Sequence, residues 1–279
     1  MSAPLGTVVI AAHQEEAVLA RTLQHLDEVV RNGLLDVVVV CNGCTDATAD
    51  VARAFGVRVH ELAKPSKTAA LRAGDRLALP GPRLYLDADV ELTGRAAVAT
   101  MRALSAGAIA GRPPHRFDVA RSRWSVRRWY AVRERLPSIA GALWGAGCYG
   151  LSREGRARFG EFPEIVSDDL FVDGLFTERE VVIVATDPVI VHGPRTVADL
   201  TRILRRSYRS QHTDAPAHGA GPISAGQRAQ LHDMLDLVRR HPARLVDVGV
   251  YLTLICLARV RARIGTAPRW ERDVSSRSV

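Results

Sequence analysis

Short uninterrupted apolar runs alternate with helical periodicity over roughly the first 110 residues. Residues 7–12, 36–41, 57–62 and 83–86 are rich in Val, Ile and Leu and bounded by turn residues, which predicts strands buried on both faces. Residues 15–31 place Val18, Leu19, Thr22, Leu23, Leu26, Val29 and Val30 on one stripe and predict a single amphipathic helix. Two further helices are expected over 45–55, capped by Thr45 or Asp46, and over the alanine-rich 66–79. Repeated strand–helix–strand units cross over right-handed and build a parallel sheet. Ligands of such sheets sit beyond the carboxyl ends of the strands, so functional residues are expected just after each apolar run.

The pattern changes in the second half. Residues 112–135 hold eight arginines against Asp118 and Glu134, with Trp124, Trp129 and Tyr130 interleaved, and read either as a mobile basic segment or as an amphipathic surface helix. A glycine-rich apolar block over 140–151 leads to an acidic turn at Asp168 and Asp169, and strand-like runs follow at 181–185 and 188–192. Residues 215–226, dense in Pro, Gly, Ala and His, are the best linker candidate. The expected organisation is 1–111, 112–214 and 215–279, the last a helical extension.

A chain of 279 residues that is 47% hydrophobic and 24% charged excludes disorder and collagen-like repetition. Its net charge of +8 favours anionic partners, either phosphates or an acidic membrane surface. Lys64 and Lys67 are its only lysines. Four cysteines do not make a disulfide framework in a chain this long, and the opening residues do not read as a signal peptide, so a reducing cytoplasmic compartment is expected. The longest apolar run, 245–260, is broken by Asp247 and flanked by arginines. It reads as a buried helix or as one lying on an anionic leaflet, which would put the protein peripherally on the inner face of the membrane.

Candidate chemistry clusters at the strand ends. Asp87-Ala-Asp89 follows an apolar strand directly, and if the strand period continues both carboxylates point to one side, suited to a divalent cation bound to a diphosphate. The first strand ends in Ala11-Ala-His13-Gln-Glu15, the second in Cys41-Asn42-Gly-Cys44-Thr-Asp46, where Asn42 carries a donor and an acceptor suited to a base edge. Cys41-x-x-Cys44 lacks the partner pair that a zinc site needs. Lys64 and Lys67 stand at a helix N-terminus, an anchor for phosphate.

These four segments, in their order along the chain, resemble the nucleotide-binding half of family 2 glycosyltransferases, which have the GT-A fold, a Rossmann-like, mostly parallel α/β sheet flanked by helices. The resemblance implies that Ala11, His13, Glu15 and Asn42 hold base and ribose, that Lys67 lies near the diphosphate, and that Asp87 and Asp89 bind ribose and a Mn²⁺ or Mg²⁺ ion. The family's usual Pro-x-Tyr-Asn-x-Glu is replaced here by Ala11-Ala-His13-Gln14-Glu15, and Asp-Asp-Gly-Ser by Cys41-Asn42-Gly43-Cys44. Gly145-Ala-Gly-Cys-Tyr-Gly-Leu-Ser152 and Asp168-Asp169 are similar to the acceptor loop and the Glu-Asp pair, implying Asp169 as catalytic base with Asp168 the alternative. His192 resembles the histidine that completes the metal site in many GT-A enzymes. Arg202, Arg205, Arg206 and Arg209 stand where the family often has Gln-x-x-Arg-Trp, with Arg206 a candidate diphosphate contact.

The expected partners are a nucleotide-diphosphate sugar and an acceptor with a free hydroxyl, lipid-linked or a glycan; no nucleic acid is expected. Two alternatives stand beside this one. A sugar-nucleotide nucleotidyltransferase would need a glycine-rich, arginine-bearing loop where Ala11 to Glu15 stand. A catalytically silent, basic membrane- or nucleic-acid-binding relative would leave all four aspartates idle.

Overall fold

The structure is a computed structural model that describes residues 3–213 and 225–264. Most of the expected linker, residues 215–224, the tail beyond 264 and the side chain of Arg209 lie outside the described residues. In chain order the elements are β1 (Thr7–Ala12), α1 (Leu19–Gln24), α2 (Asp27–Arg31), β2 (Asp36–Asn42), α3 (Thr48–Ala54), β3 (Arg58–Leu62), α4 (Lys67–Leu77), β4 (Arg83–Asp87), β5 (Val90–Glu91), α5 (Gly94–Ser105) and β6 (Ala110–Arg112). There follow β7 (His115–Asp118), α6 (Trp124–Arg133), α7 (Pro137–Ala140), β8 (Cys148–Leu151), α8 (Arg153–Arg156), α9 (Asp168–Asp173), β9 (Val181–Ile183), β10 (Val189–His192), α10 (Val197–Thr213), α11 (Ala225–Arg240) and α12 (Leu245–Ile264).

The chain divides into two compact units, residues up to 116 with 141–191, and 117–140 with those from 192 onward. This differs from the expected boundaries because 141–191 return to complete the first unit's sheet, with β8 and β9 joining strands laid down before residue 116.

That sheet has seven strands in the order β3-β2-β1-β4-β8-β6-β9, parallel except for β8, which runs antiparallel to both neighbours. Strands β2 and β3 grow outward on one side of β1 while β4 lies on the other, so the order reverses between β1 and β4. The register pairs Ala11 with Asp87 at this switch point, where a crevice opens beyond the strand ends. Both faces of the sheet are covered. Val8, Ile10, Val39 and Leu86 pack with Leu19, Leu23 and Met101 of the helices on one face, while Val9 and Tyr85, and likewise Val38 and Val40, meet Leu71, Ala70 and Ala73 of α4 on the other.

The structure differs from the sequence pattern in two places that matter. The single helix expected over 15–31 is two, because the His25 carbonyl at the end of α1 accepts the Gly94 N–H at 2.9 Å and the path bends there. The basic stretch 112–135 is neither mobile nor wholly a surface helix. Arg112 is fully buried, with Nε donating to the Ala142 carbonyl at 2.6 Å and Nη1 to that of Pro113 at 2.9 Å, and α6 buries Val126, Trp129, Tyr130 and Val132.

In the second unit Trp129 stacks on Tyr251 of α12, with ring centroids 5.1 Å apart. Asp247, buried at the start of α12, accepts from Arg128 at 2.7 Å and Arg244 at 2.9 Å. Val248, Tyr251, Leu254, Ile255 and Ala258 form the buried face of α12, whereas Leu245, Val246, Leu252 and Val260 are exposed. Among the described residues no helix is long and apolar enough to cross a membrane.

Candidate active site

The loops after β1 and β2 are built as one piece. Asn42 Nδ2 donates to the Ala12 carbonyl at 2.8 Å and its Oδ1 accepts from the Ser66 N–H at 3.0 Å. Its amide, expected to face a base edge, is buried and joins β1 to the start of α4. The His13 ring donates from Nδ1 to the Asn42 carbonyl at 2.5 Å, which leaves Nε2 as the ring's acceptor when neutral. Gln14, in a left-handed conformation at φ 55°, accepts from Thr45 N–H at 2.8 Å and donates to Thr45 Oγ1 at 2.7 Å. Glu15 is buried, and its N–H donates to Thr48 Oγ1 at 2.7 Å. Gln14 therefore fixes the geometry of both loops, a role that nothing in its local sequence announces.

Asp87 closes β4, and a turn carries the chain through Ala88 to Asp89. Ala88 is buried while Asp87 and Asp89 are both partly exposed. The Asp87 N–H donates to the Gly147 carbonyl at 2.8 Å. Gly147 has φ +64°, and a Cβ there would stand 2.6 Å from Val90 Cγ1 and 3.4 Å from Asp87 Oδ2, so only glycine lets the backbone before β8 pass so close to this carboxylate.

Lys67 opens α4, whose N-cap Ser66 accepts from the Ala69 N–H. Its Nζ donates to Asp87 Oδ1 at 2.7 Å and lies 2.8 Å from Asp168 Oδ1. Burial alone would lower the lysine pKa, but Asp168, Asp87 and Asp169 hold it well above the ordinary value, so the ammonium stays charged.

Asp168 and Asp169 begin α9 but have different surroundings. Asp168 is 3% exposed and committed on both oxygens, to Lys67 and to the Tyr149 hydroxyl, which donates at 2.9 Å. Asp169 is half-buried and accepts only backbone N–H groups, from Gly145 at 2.7 Å and Leu170 at 2.8 Å. Burial, and then the charge of Asp168, push its carboxyl up to about 6, against the opposing pull of Lys67. Tyr149 stacks on Tyr85 at 4.9 Å, and burial followed by Asp168 holds its phenol well above the ordinary value, so it remains a hydrogen-bond donor. Ala11, Lys67, Asp87, Tyr149, Asp168 and Asp169 all line one cleft. Sequence reasoning missed Tyr149, although it stands inside the Gly-Cys-Tyr-Gly segment already singled out.

Two candidates belong to the second unit. His192 ends β10 with Nδ1 3.5 Å from the Asp118 carboxylate, and Arg206 lies on α10. Among the described residues no three His, Cys, Asp or Glu groups are placed to hold a metal ion by themselves. Asp87 and Asp89 nevertheless fit Mn²⁺ or Mg²⁺ in donor chemistry. They are hard carboxylate oxygens at a strand end, and ions of this kind are held by one or two carboxylates together with substrate phosphates. Cys41 is buried, which pushes its thiol up to about 12 and leaves it an inert packing group.

The chain matches the family described as Glycosyl transferase family 2 over residues 7–152. No curated protein sequence matches it. Among solved structures it is similar to the mannosyltransferase PcManGT from Pyrobaculum calidifontis in complex with GDP-Man and Mn²⁺, at 18% identity and a TM-score of 0.58, covering 96% of this chain and 78% of the other. It is also similar to glucosyl-3-phosphoglycerate synthase from Mycobacterium tuberculosis with Mn²⁺ and UDP-Glc, at 21% identity and a TM-score of 0.53, covering 78% and 82%. These likenesses show the fold, a GT-A arrangement.

Proposed function

The chain belongs to glycosyl transferase family 2, and on that premise we propose that it moves a sugar from a nucleotide-diphosphate sugar to an acceptor hydroxyl with inversion, using Asp169 as the base. The observation that carries this reading is the division of labour at α9, where Asp168 is tied to Lys67 and Tyr149 while the raised, half-buried Asp169 carboxylate faces the same cleft. A base with a pKa near 6 is mostly ionised at neutral pH yet basic enough to accept a proton as the transition state forms.

Asp169 takes the acceptor hydroxyl's proton. The acceptor oxygen forms its bond to the anomeric carbon from the face opposite the departing diphosphate, which leaves with the electron pair of the broken carbon–oxygen bond. Lys67, held charged beside Asp87, stabilises the negative charge on that leaving group. A Mn²⁺ or Mg²⁺ ion held by Asp87 and Asp89 would supply additional neutralisation of the diphosphate. Ala11, His13, Glu15 and Asn42 form the floor and frame of the nucleoside site, with Asn42 acting through the loops it joins. Family membership argues against the nucleotidyltransferase alternative.

The acceptor is proposed to be a glycan or a lipid-linked hydroxyl. The exposed apolar residues Leu245, Val246, Leu252 and Val260 on an arginine-flanked helix support reversible contact with an anionic leaflet on the cytoplasmic side. The neighbours' ligands, GDP-Man and UDP-Glc, are the first donors to test. Thermal-shift screening of nucleotide sugars with and without Mn²⁺ is expected to give metal-dependent stabilisation by one donor class; absence of any metal-dependent shift would contradict the reading.

A further inference from the structure

Helix α9 carries Asp169 and Asp173 one turn apart, and both carboxylates accept from the loop that precedes β8. Asp173 Oδ1 accepts from the Leu143 N–H at 2.7 Å, and Asp169 Oδ2 from the Gly145 N–H at 2.7 Å. Four residues of helix rise about 6 Å and two residues of chain span up to about 7 Å, so the two N–H groups match the two carboxylates in spacing. The loop is held at a third point by Arg112, whose Nε donates to the Ala142 carbonyl at 2.6 Å. The Leu143 side chain is fully buried in one core cluster with Tyr149, Phe162 and Val172. Gly145 has φ +75°, a left-handed conformation that glycine adopts without strain.

A backbone N–H aimed at a carboxylate favours its charged form. For Asp169 the Gly145 N–H does this together with Lys67, against the burial and the Asp168 charge that raise the carboxyl. That N–H is only as well placed as the loop that carries it. Asp173 lies outside the lining of the cleft, and its own carboxyl is raised by burial against the opposing pull of the Leu143 N–H and the Arg112 guanidinium. We propose that Asp173 is a positioning residue for the base: by clasping the loop at Leu143, with Arg112 holding Ala142, it presents the Gly145 N–H to Asp169. The catalytic part of this assignment rests on Asp169 being the base; the clasp itself does not.

The test uses the full chain labelled with ¹³C at the aspartate carboxyl carbons and titrated by NMR, the Asp169 signal being identified by its loss in Asp169→Asn. In wild type its midpoint is expected near 6. Asp173→Ala removes the acceptor for the Leu143 N–H and is expected to raise that midpoint by about half a pH unit or more. Asp173→Asn keeps an acceptor oxygen there and should shift it less than half as far. The groups that face Asp169 are Asp168 on its own helix, Lys67 on α4, Asp87 of β4 and Tyr149 of β8, and all four are retained in these variants. Loss of a negative charge at 173 would by itself lower the midpoint, so the expected sign separates the clasp from a charge effect. An unshifted or lowered midpoint in Asp173→Ala, or an equal rise in Asp173→Asn, would overturn the proposal. If Asp173→Ala fails to fold, amide exchange in wild type decides. The Leu143 and Gly145 N–H groups are then expected to be equally protected, through one shared opening, and unequal protection would overturn the proposal. Turnover of GDP-Man and of UDP-Glc against pH tests the base separately: an acid limb near 6 that persists in Asp169→Asn would refute the base reading and leave the clasp standing.

Discussion

Lys67 Nζ stands 2.8 Å from Asp168 Oδ1, and the same ammonium donates to Asp87 Oδ1 at 2.7 Å. One cation at the start of α4 thus ties the end of β4 to the start of α9. The lysine is partly exposed at the cleft. Lys67→Ala is expected to weaken nucleoside-diphosphate binding much more than nucleoside binding, as measured by calorimetry on both ligands. Equal losses would show that the substitution disturbs the fold rather than a phosphate contact.

Asp89 has a separate test. If Asp87-Ala-Asp89 holds the ion that accompanies the diphosphate, Asp89→Ala should abolish the metal dependence of donor binding by abolishing tight binding itself. Titrations of the variant with nucleoside diphosphate, with and without Mn²⁺, should coincide at low affinity. An unchanged, metal-dependent affinity would contradict the assignment.

Tyr149 is expected to act through Asp168. Tyr149→Phe removes a hydrogen bond to a charged group, a kind worth about 1.5–3 kcal/mol, and leaves the ring stack on Tyr85 in place. Because Asp168 braces Lys67, the variant should raise the KM for donor more than it lowers kcat. A lowered kcat at unchanged KM would place Tyr149 in the chemical step instead.

The nucleotide-binding half was legible because its strands are buried on both faces. Such strands read as unbroken apolar runs, as in β1, β2 and β4, and each run ends at a residue of the site. The later strands were harder to read. Strand β6 is only Ala110–Arg112, too short for periodicity, and its arginine is buried because backbone carbonyls satisfy it. Likewise, the break after α1 depends on an N–H from Gly94, far along the chain, which no local window contains. The different surroundings of Asp168 and Asp169 arise from Lys67, Tyr149 and Gly145, so two adjacent and chemically identical letters acquire separate roles only in three dimensions.

The raised Asp169 carboxyl has consequences for pH dependence. A base must be ionised to work, so kcat/KM, which reports the free enzyme, should rise with pH through about 6 and level off above it. The same shift acts on stability in the opposite sense. The folded state holds a proton that the unfolded chain releases near pH 4. The stability this group contributes is therefore present below that value and lost as pH rises through about 6. Thermal melts across this range should show a smaller pH dependence in Asp169→Asn than in wild type. An equal dependence in both would assign the titration to another group.

The central claim is that Asp169, and not Asp168, takes the acceptor proton. Asparagine at 169 keeps one oxygen for a backbone N–H but turns its amide toward the other, so the contact with Gly145 or Leu170 must adjust, and donor affinity has to be measured alongside the rate. Asparagine at 168 instead weakens the brace on Lys67 and should act on donor binding. The deciding measurement is single-turnover sugar transfer at saturating donor by Asp169→Asn and Asp168→Asn. The account predicts a loss of roughly 10²-fold or more in Asp169→Asn with donor affinity largely kept, and a much smaller loss of rate in Asp168→Asn. Near wild-type transfer by Asp169→Asn, or the larger loss of rate in Asp168→Asn, would contradict it.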